Sequence, residues 1–201
     1  MLDLYTAGTN NGQRATITLE ECGLPYNLHK VDLAKGGART EEFKKLNPNA
    51  RIPVLVDSEG PGGKPVTITQ SWAICLYAAE KSGTLLPRDP VKRMEALSWL
   101  FHVATDVAPM RSPNAAAEAI GSKDAVLSFY DRSFREALEA IDRRLGAADY
   151  LAGEISVADL ALYPMVKRRR AAAEAAPALA NLLRWLRQLD ARPGCQKGLA
   201  A

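Results

Sequence analysis

The chain has 201 residues, 47% hydrophobic and 24% charged, the composition of a globular protein with one good core or two small ones. Its 26 basic and 23 acidic residues leave a net charge of only +3, so composition gives no support to a nucleic-acid partner. No apolar run approaches the roughly 20 residues of a membrane-spanning helix, and Met1-Leu2-Asp3-Leu4-Tyr5 lacks the basic region and apolar core of a secretion signal. Cys22, Cys75 and Cys195 are scattered and form no C-x-x-C pair, which suits a reducing, cytoplasmic location and a role as small core hydrophobes.

In chain order, Leu2 to Tyr5 reads as a buried strand and Ala7 to Gly12 as a tight loop. Ala15, Ile17, Leu19 and Cys22 mix helical and alternating spacing, but Glu20-Glu21 and the stop at Gly23 and Pro25 favour a helix. Asn27 to Val31 is a second strand, implying a right-handed parallel crossover. Lys35-Gly36-Gly37 is a mobile loop, and Glu41 to Leu46 a short helix stopped by Asn47-Pro48. Val54 to Val56 and Val66 to Ile68 flank the Gly60-Pro61-Gly62-Gly63 turn as a hairpin. A helix then runs from Ser71 to about Ser82-Gly83. This βαβ–ββα order predicts a thioredoxin-like domain over 1–83, one sheet with helices on its faces.

Two prolines in Leu85-Leu86-Pro87-Arg88-Asp89-Pro90 mark a linker over 84–89, and 90–201 reads as an all-helical bundle. Three sets of apolar residues each keep one helical face: Val91, Met94, Leu97 and Phe101; Phe134, Leu138, Ile141 and Leu145; and Leu179, Leu182, Leu183, Leu186 and Leu189. Ser156-Val157-Ala158-Asp159 is a capping signature. Lys167-Arg168-Arg169-Arg170 reads as a solvated helix end, and Ala171 to Ala180 as surface helix and loop. The fold class is therefore α/β plus all-α.

Chemistry concentrates in three segments of the first domain. In Asn47-Pro48-Asn49-Ala50-Arg51-Ile52-Pro53-Val54-Leu55, a turn feeds a strand whose proline cannot donate to a ladder, so Pro53 belongs at a strand start or edge. Ile52-Pro53 is a candidate cis bond, and the edge it leaves can dock a peptide-like backbone. Gln70-Ser71 precedes the apolar helical run Trp72 to Ala79, with Ser71 expected as N-cap beside a carboxylate socket. Together these describe a small anionic peptide as ligand. The loop Thr9-Asn10-Asn11-Gly12, where a thioredoxin-like domain carries its redox cysteines, has no sulfur, so a thiol has to come from that ligand. Its anion would be favoured by the helix dipole and by a hydrogen bond from Thr9 or Asn11, with Arg14 adding positive field. His29 and His102, the only histidines, are too few and too far apart for a metal triad.

With these motifs, nearly the whole chain resembles the glutathione transferase family, and Leu4-Tyr5-Thr6-Ala7-Gly8-Thr9-Asn10-Asn11-Gly12 resembles its bacterial Nu-like group. The resemblance implies that Ile52, before cis-Pro53, pairs with the cysteine backbone of glutathione and that Gln70 and Ser71 hold its γ-glutamyl end. It implies that Thr9 and Asn11 approach the sulfur, Tyr5 being the activator in other classes. Arg51, where lysine is common, pairs with the glycyl carboxylate. A second-substrate pocket is implied with Tyr5, Trp99, His102, Val103 and Met110. The chain departs from the Nu-like pattern at Asn10 (proline), Gln70 (glutamate) and Ala38 (glutamine), and has Phe129-Tyr130 near the position of an arginine. The activity implied is stabilisation of the glutathione thiolate and its transfer to an electrophilic small molecule. The alternatives are glutathione-dependent disulfide reduction and a non-catalytic binding protein of this fold. Glutathione is then the co-substrate, without a metal, in a cytoplasmic homodimer with no nucleic-acid or membrane partner.

Overall fold

The computed structural model describes residues 1–109, 123–174 and 179–201, which form two compact units, 1–86 with 190–201 and 87–189. In the first unit, strands β1 (Leu2–Thr6), β2 (Tyr26–Lys30), β3 (Val54–Asp57) and β4 (Val66–Ile68) form one sheet in the order β2-β1-β3-β4. β1 and β2 are parallel, whereas β3 runs antiparallel to β1 and to β4, as the expected crossover and hairpin require. Alternation along β1 separates two cores. Leu2 and Leu4 pack with Leu55 against Ala15 and Leu19 of α1 (Asn10–Glu21) and Ile74 and Ala78 of α3 (Ser71–Ser82). A second cluster joins Tyr5, Val54 and Val56 to Phe43 of α2 (Glu41–Leu46) and to Ala38.

The mixed spacing of α1 has a physical cause: it is covered on two faces. One faces the sheet. The other receives α9 (Pro193–Ala200), the last helix, which the expected limits 1–83 and 90–201 leave with the bundle. Glu21 accepts from Arg192 Nε and Nη2 at 2.8 and 2.6 Å and from Cys195 N–H at 2.9 Å, and Lys197 Nζ lies 2.8 Å from Glu20. Thr16 Oγ1 donates to Gly198 O at 2.6 Å, and Gln13 Nε2 to Leu199 O at 3.2 Å.

Asp57 closes the far end of the sheet. Its buried carboxylate accepts from Tyr77 Oη at 2.5 Å and Glu59 N–H at 2.9 Å and pairs with Lys81 Nζ at 2.8 Å. Burial alone would raise its pKa, but Lys81, Tyr77 and the Glu59 amide outweigh that and hold it at about 2, against 3.8 for an unperturbed carboxyl. The stabilisation is therefore complete above the unfolded value and is lost as pH falls from about 4 through about 2. Asp57→Asn is expected to cost about 2 kcal/mol at neutral pH and to flatten that acid limb in urea titrations run at several pH values.

In the second unit, α4 (Pro90–His102) is capped by Asp89, which accepts from Val91 and Lys92 N–H, and runs on into one π-helical turn, Val103–Val107. The remaining helices are α5 (Lys123–Ala147), α6 (Val157–Lys167), α7 (Arg170–Glu174) and α8 (Ala180–Asp190). The capping box at Ser156 and Asp159 forms, and Asp159 also accepts from Leu151 N–H and from Nε1 of buried Trp185. Phe134, Leu138, Ile141 and Leu145 are buried, as are Leu179, Leu182, Leu186 and Leu189, while Leu183 is half-buried. On α4 the apolar face is not the buried one: Val91, Met94 and Phe101 are 78%, 61% and 56% exposed and Leu97 is half-buried, while Ala96 and Leu100 are buried. Both stripes have helical spacing, and periodicity alone does not say which meets this unit's own core.

Candidate functional site

The site assembles around the N-termini of α1 and α3. Thr9 caps α1, its hydroxyl oxygen accepting from Gly12 N–H at 3.1 Å, which leaves the hydroxyl proton free to donate. Gly12 is required here: a Cβ would lie 2.0 Å from Ala7 O and 2.5 Å from Thr6 Oγ1. Asn10 occupies the first turn of α1, a position that proline also suits; its side chain is buried, with neither polar atom hydrogen-bonded among the described residues. Asn11, next along, is exposed.

Arg14, whose direction sequence does not reveal, proves central. It is 1% exposed, its guanidinium lies 3.6 Å from the centroid of the Trp72 ring, and Nη1 donates to Asn11 Oδ1 and to Ser71 Oγ, each at 2.8 Å. Ser71 is buried but is not the N-cap. Gln70 holds that position in an extended conformation, its carbonyl accepts from Ile74 N–H, and its exposed side chain makes no cap bond. The N–H groups at the start of α3 thus have no side-chain cap from Gln70, which keeps that end suited to an anion. A hydroxyl one residue inside the helix reads the same in sequence as one at its cap.

The Ile52-Pro53 bond is cis. Pro53 is buried and Ile52 half-buried, both just ahead of the ladder, whose β1–β3 register begins with Tyr5 opposite Val54. Asn47, which sequence reading places at a helix stop and at the head of this turn, is its staple: Nδ2 donates to Arg51 O at 2.7 Å, and Oδ1 accepts from Asn49 N–H at 3.0 Å. Arg51 itself is exposed. Asx turns of this kind are the only sequence signal for such a residue.

The other expected positions go elsewhere. Tyr5 stacks on His29 with centroids 4.4 Å apart and meets Phe43 edge-on, in a cleft lined also by Lys30, Thr40 and Leu46. Ala38 is packed in the core beside Phe43 and Val54. Val103 is wholly buried in the second unit. Trp99 and His102 are half-buried in that unit, edge to face at 5.4 Å, with His102 Nδ1 2.9 Å from Asp106 Oδ2. Met110 and residues 175–178 of the alanine-rich stretch lie outside the described residues.

The chain's own thiols are poor nucleophiles. Burial pushes Cys75 up to about 11 and raises Cys22 and Cys195 as well. Among the described residues no group of three His, Cys, Asp or Glu side chains is placed to hold a metal, and no helix is long and apolar enough to cross a membrane.

Residues 10–81 match the family model of the glutathione S-transferase N-terminal domain, and residues 115–188 that of the C-terminal domain. The disulfide-bond oxidoreductase YfcG of Escherichia coli is 36% identical over 99% of this chain and 94% of its own length. A glutathione transferase family member from Pseudomonas fluorescens, solved with two glutathione bound, superposes with a TM-score of 0.90 at 31% identity, covering 98% of this chain and 92% of the other. A glutathione transferase from Pseudomonas putida, solved with one glutathione disulfide per subunit, gives 0.87 at 33% identity over 98% and 90%.

Proposed function

The chain belongs to the glutathione S-transferase family, and on that premise we propose that it binds glutathione at the α1–α3 site and activates its thiol. The observation that carries this reading is the pairing of Asn11 and Ser71 through one nitrogen of Arg14. These are the residues matched to opposite ends of glutathione, its sulfur and its γ-glutamyl group. Ile52 and cis-Pro53 dock the cysteine backbone, Gln70 and Ser71 receive the glutamyl end, and Arg51 pairs with the glycyl carboxylate. Thr9 and Asn11 donate to the sulfur. The thiol gives up its proton to solvent, and the thiolate attacks an electrophilic carbon. A carbon–sulfur bond forms and the leaving group departs with its electron pair.

Disulfide reduction is the second reading, favoured by the name of YfcG and by the glutathione disulfide in the P. putida structure. There the thiolate attacks a disulfide sulfur and releases a thiolate. A second glutathione then resolves the mixed disulfide, leaving glutathione disulfide. Ala38, buried where a glutamine ligand is frequent, argues for the transferase reading first.

Calorimetric titration with glutathione and, separately, its disulfide tests both. Ser71→Ala is expected to weaken glutathione binding by about 1–3 kcal/mol, and unchanged affinity would contradict the site. The protein works in the cytoplasm as a homodimer, a second copy covering the exposed face of Val91, Met94 and Phe101. Met94→Glu is expected to shift sedimentation velocity profiles from dimer to monomer.

A further inference from the structure

We propose that Arg14 is a positioning residue of the thiol site, one that sets the orientation of the Asn11 amide and the Ser71 hydroxyl together. This rests on the reading of the site as a glutathione site. An arginine at 1% exposure is rare, and face-on contact with Trp72 fixes the plane of this one. A guanidinium can only donate, so each partner of Nη1 has to present oxygen to it. The Asn11 amide is thereby held with Oδ1 turned toward Arg14 and Nδ2, its donor, on the other side. Released from the cation, the amide could turn over and set its oxygen, which repels a thiolate, where the donor had been. Ser71 is held in the same sense, with its oxygen accepting from Arg14 and its proton left for a carboxylate. Arg14 sits one turn after Asn11 on α1, and Trp72 directly follows Ser71 on α3, so the same side chain packs against both N-termini.

The test is a double-mutant cycle on the pKa of bound glutathione's thiol, read from the ultraviolet absorbance of the thiolate, in wild type, Arg14→Met, Asn11→Ala and the double variant. Arg14→Met is expected to leave about tenfold less thiolate at neutral pH, one pKa unit. In the Asn11→Ala background the same change should add nothing further. Arg14→Lys, which keeps the charge but not the stacked fork, should show a smaller rise, again absent without Asn11; it serves if the Met variant does not fold. An equal rise in both backgrounds would mean that Arg14 acts through its own charge and would overturn the proposal, as would no rise with Asn11 present. Failure of the wild-type protein to bind glutathione would overturn the site reading itself, and the proposal with it.

Discussion

Asn11→Ala is expected to lower kcat/KM for glutathione with a generic aryl halide by about 100-fold at neutral pH, the usual cost of deleting one donor aimed at a developing anion. A free thiol titrates near 8.5, so only a few per cent of it is ionised at pH 7 unless the site favours the anion. On the proposed reading Asn11 Nδ2 supplies that donor, since Oδ1 accepts from Arg14. Thr9 keeps its hydroxyl and the N-terminal dipole of α1 is untouched, so the loss is large but incomplete. Asn11 is exposed, and its side chain is not part of the core. The variant loses the Arg14 hydrogen bond but no packed core, so it should lie within about 1–3 kcal/mol of wild type in stability and stay folded. The gap in activity should narrow as pH rises past the free thiol's pKa, since solvent then supplies the thiolate. A pH-independent gap would place Asn11 in substrate positioning instead.

The second large effect lies far from the sulfur. Gly198→Val is expected to destabilise the first unit by about 3 kcal/mol or more. A Cβ at Gly198 would fall 2.4 Å from Ile17 Cα and 2.6 Å from Ile17 N, backbone atoms of a buried helix that cannot rotate away. Helix α9 would have to lift from α1, loosening the Thr16–Gly198 and Gln13–Leu199 bonds and uncovering Cys195. At Gly194 the nearest atoms belong to the Glu21 side chain and not to backbone, and alanine adds only the Cβ, so Gly194→Ala should cost less. Denaturant titration of both variants orders them. Equal stability of Gly198→Val and wild type would contradict the α1–α9 packing.

What sequence reading reaches in this chain is what local chemistry decides. Pro53 at a strand start, the hairpin at Gly60 to Gly63, the capping box at Ser156 and the absence of sulfur at Thr9 to Gly12 are each carried by a few adjacent residues. The partners that decide direction and face lie farther off. Arg14 is oriented by Ser71 and Trp72, 57 and 58 positions along the chain. Asp57 is completed by Tyr77 and Lys81, and α1 by a helix whose glycines are invisible to hydrophobic periodicity. Val91, Met94 and Phe101 form a valid helical stripe that is exposed, and periodicity alone does not say which stripe of a helix meets its unit's core.

The most direct test of the central claim is the pKa of glutathione's thiol when bound to the wild-type protein, followed by thiolate absorbance across neutral pH. A value at least one unit below that of free glutathione is expected from Asn11, Thr9 and the α1 dipole acting together. A bound thiol that titrates with the free one would contradict an activating site and leave only a glutathione-binding protein.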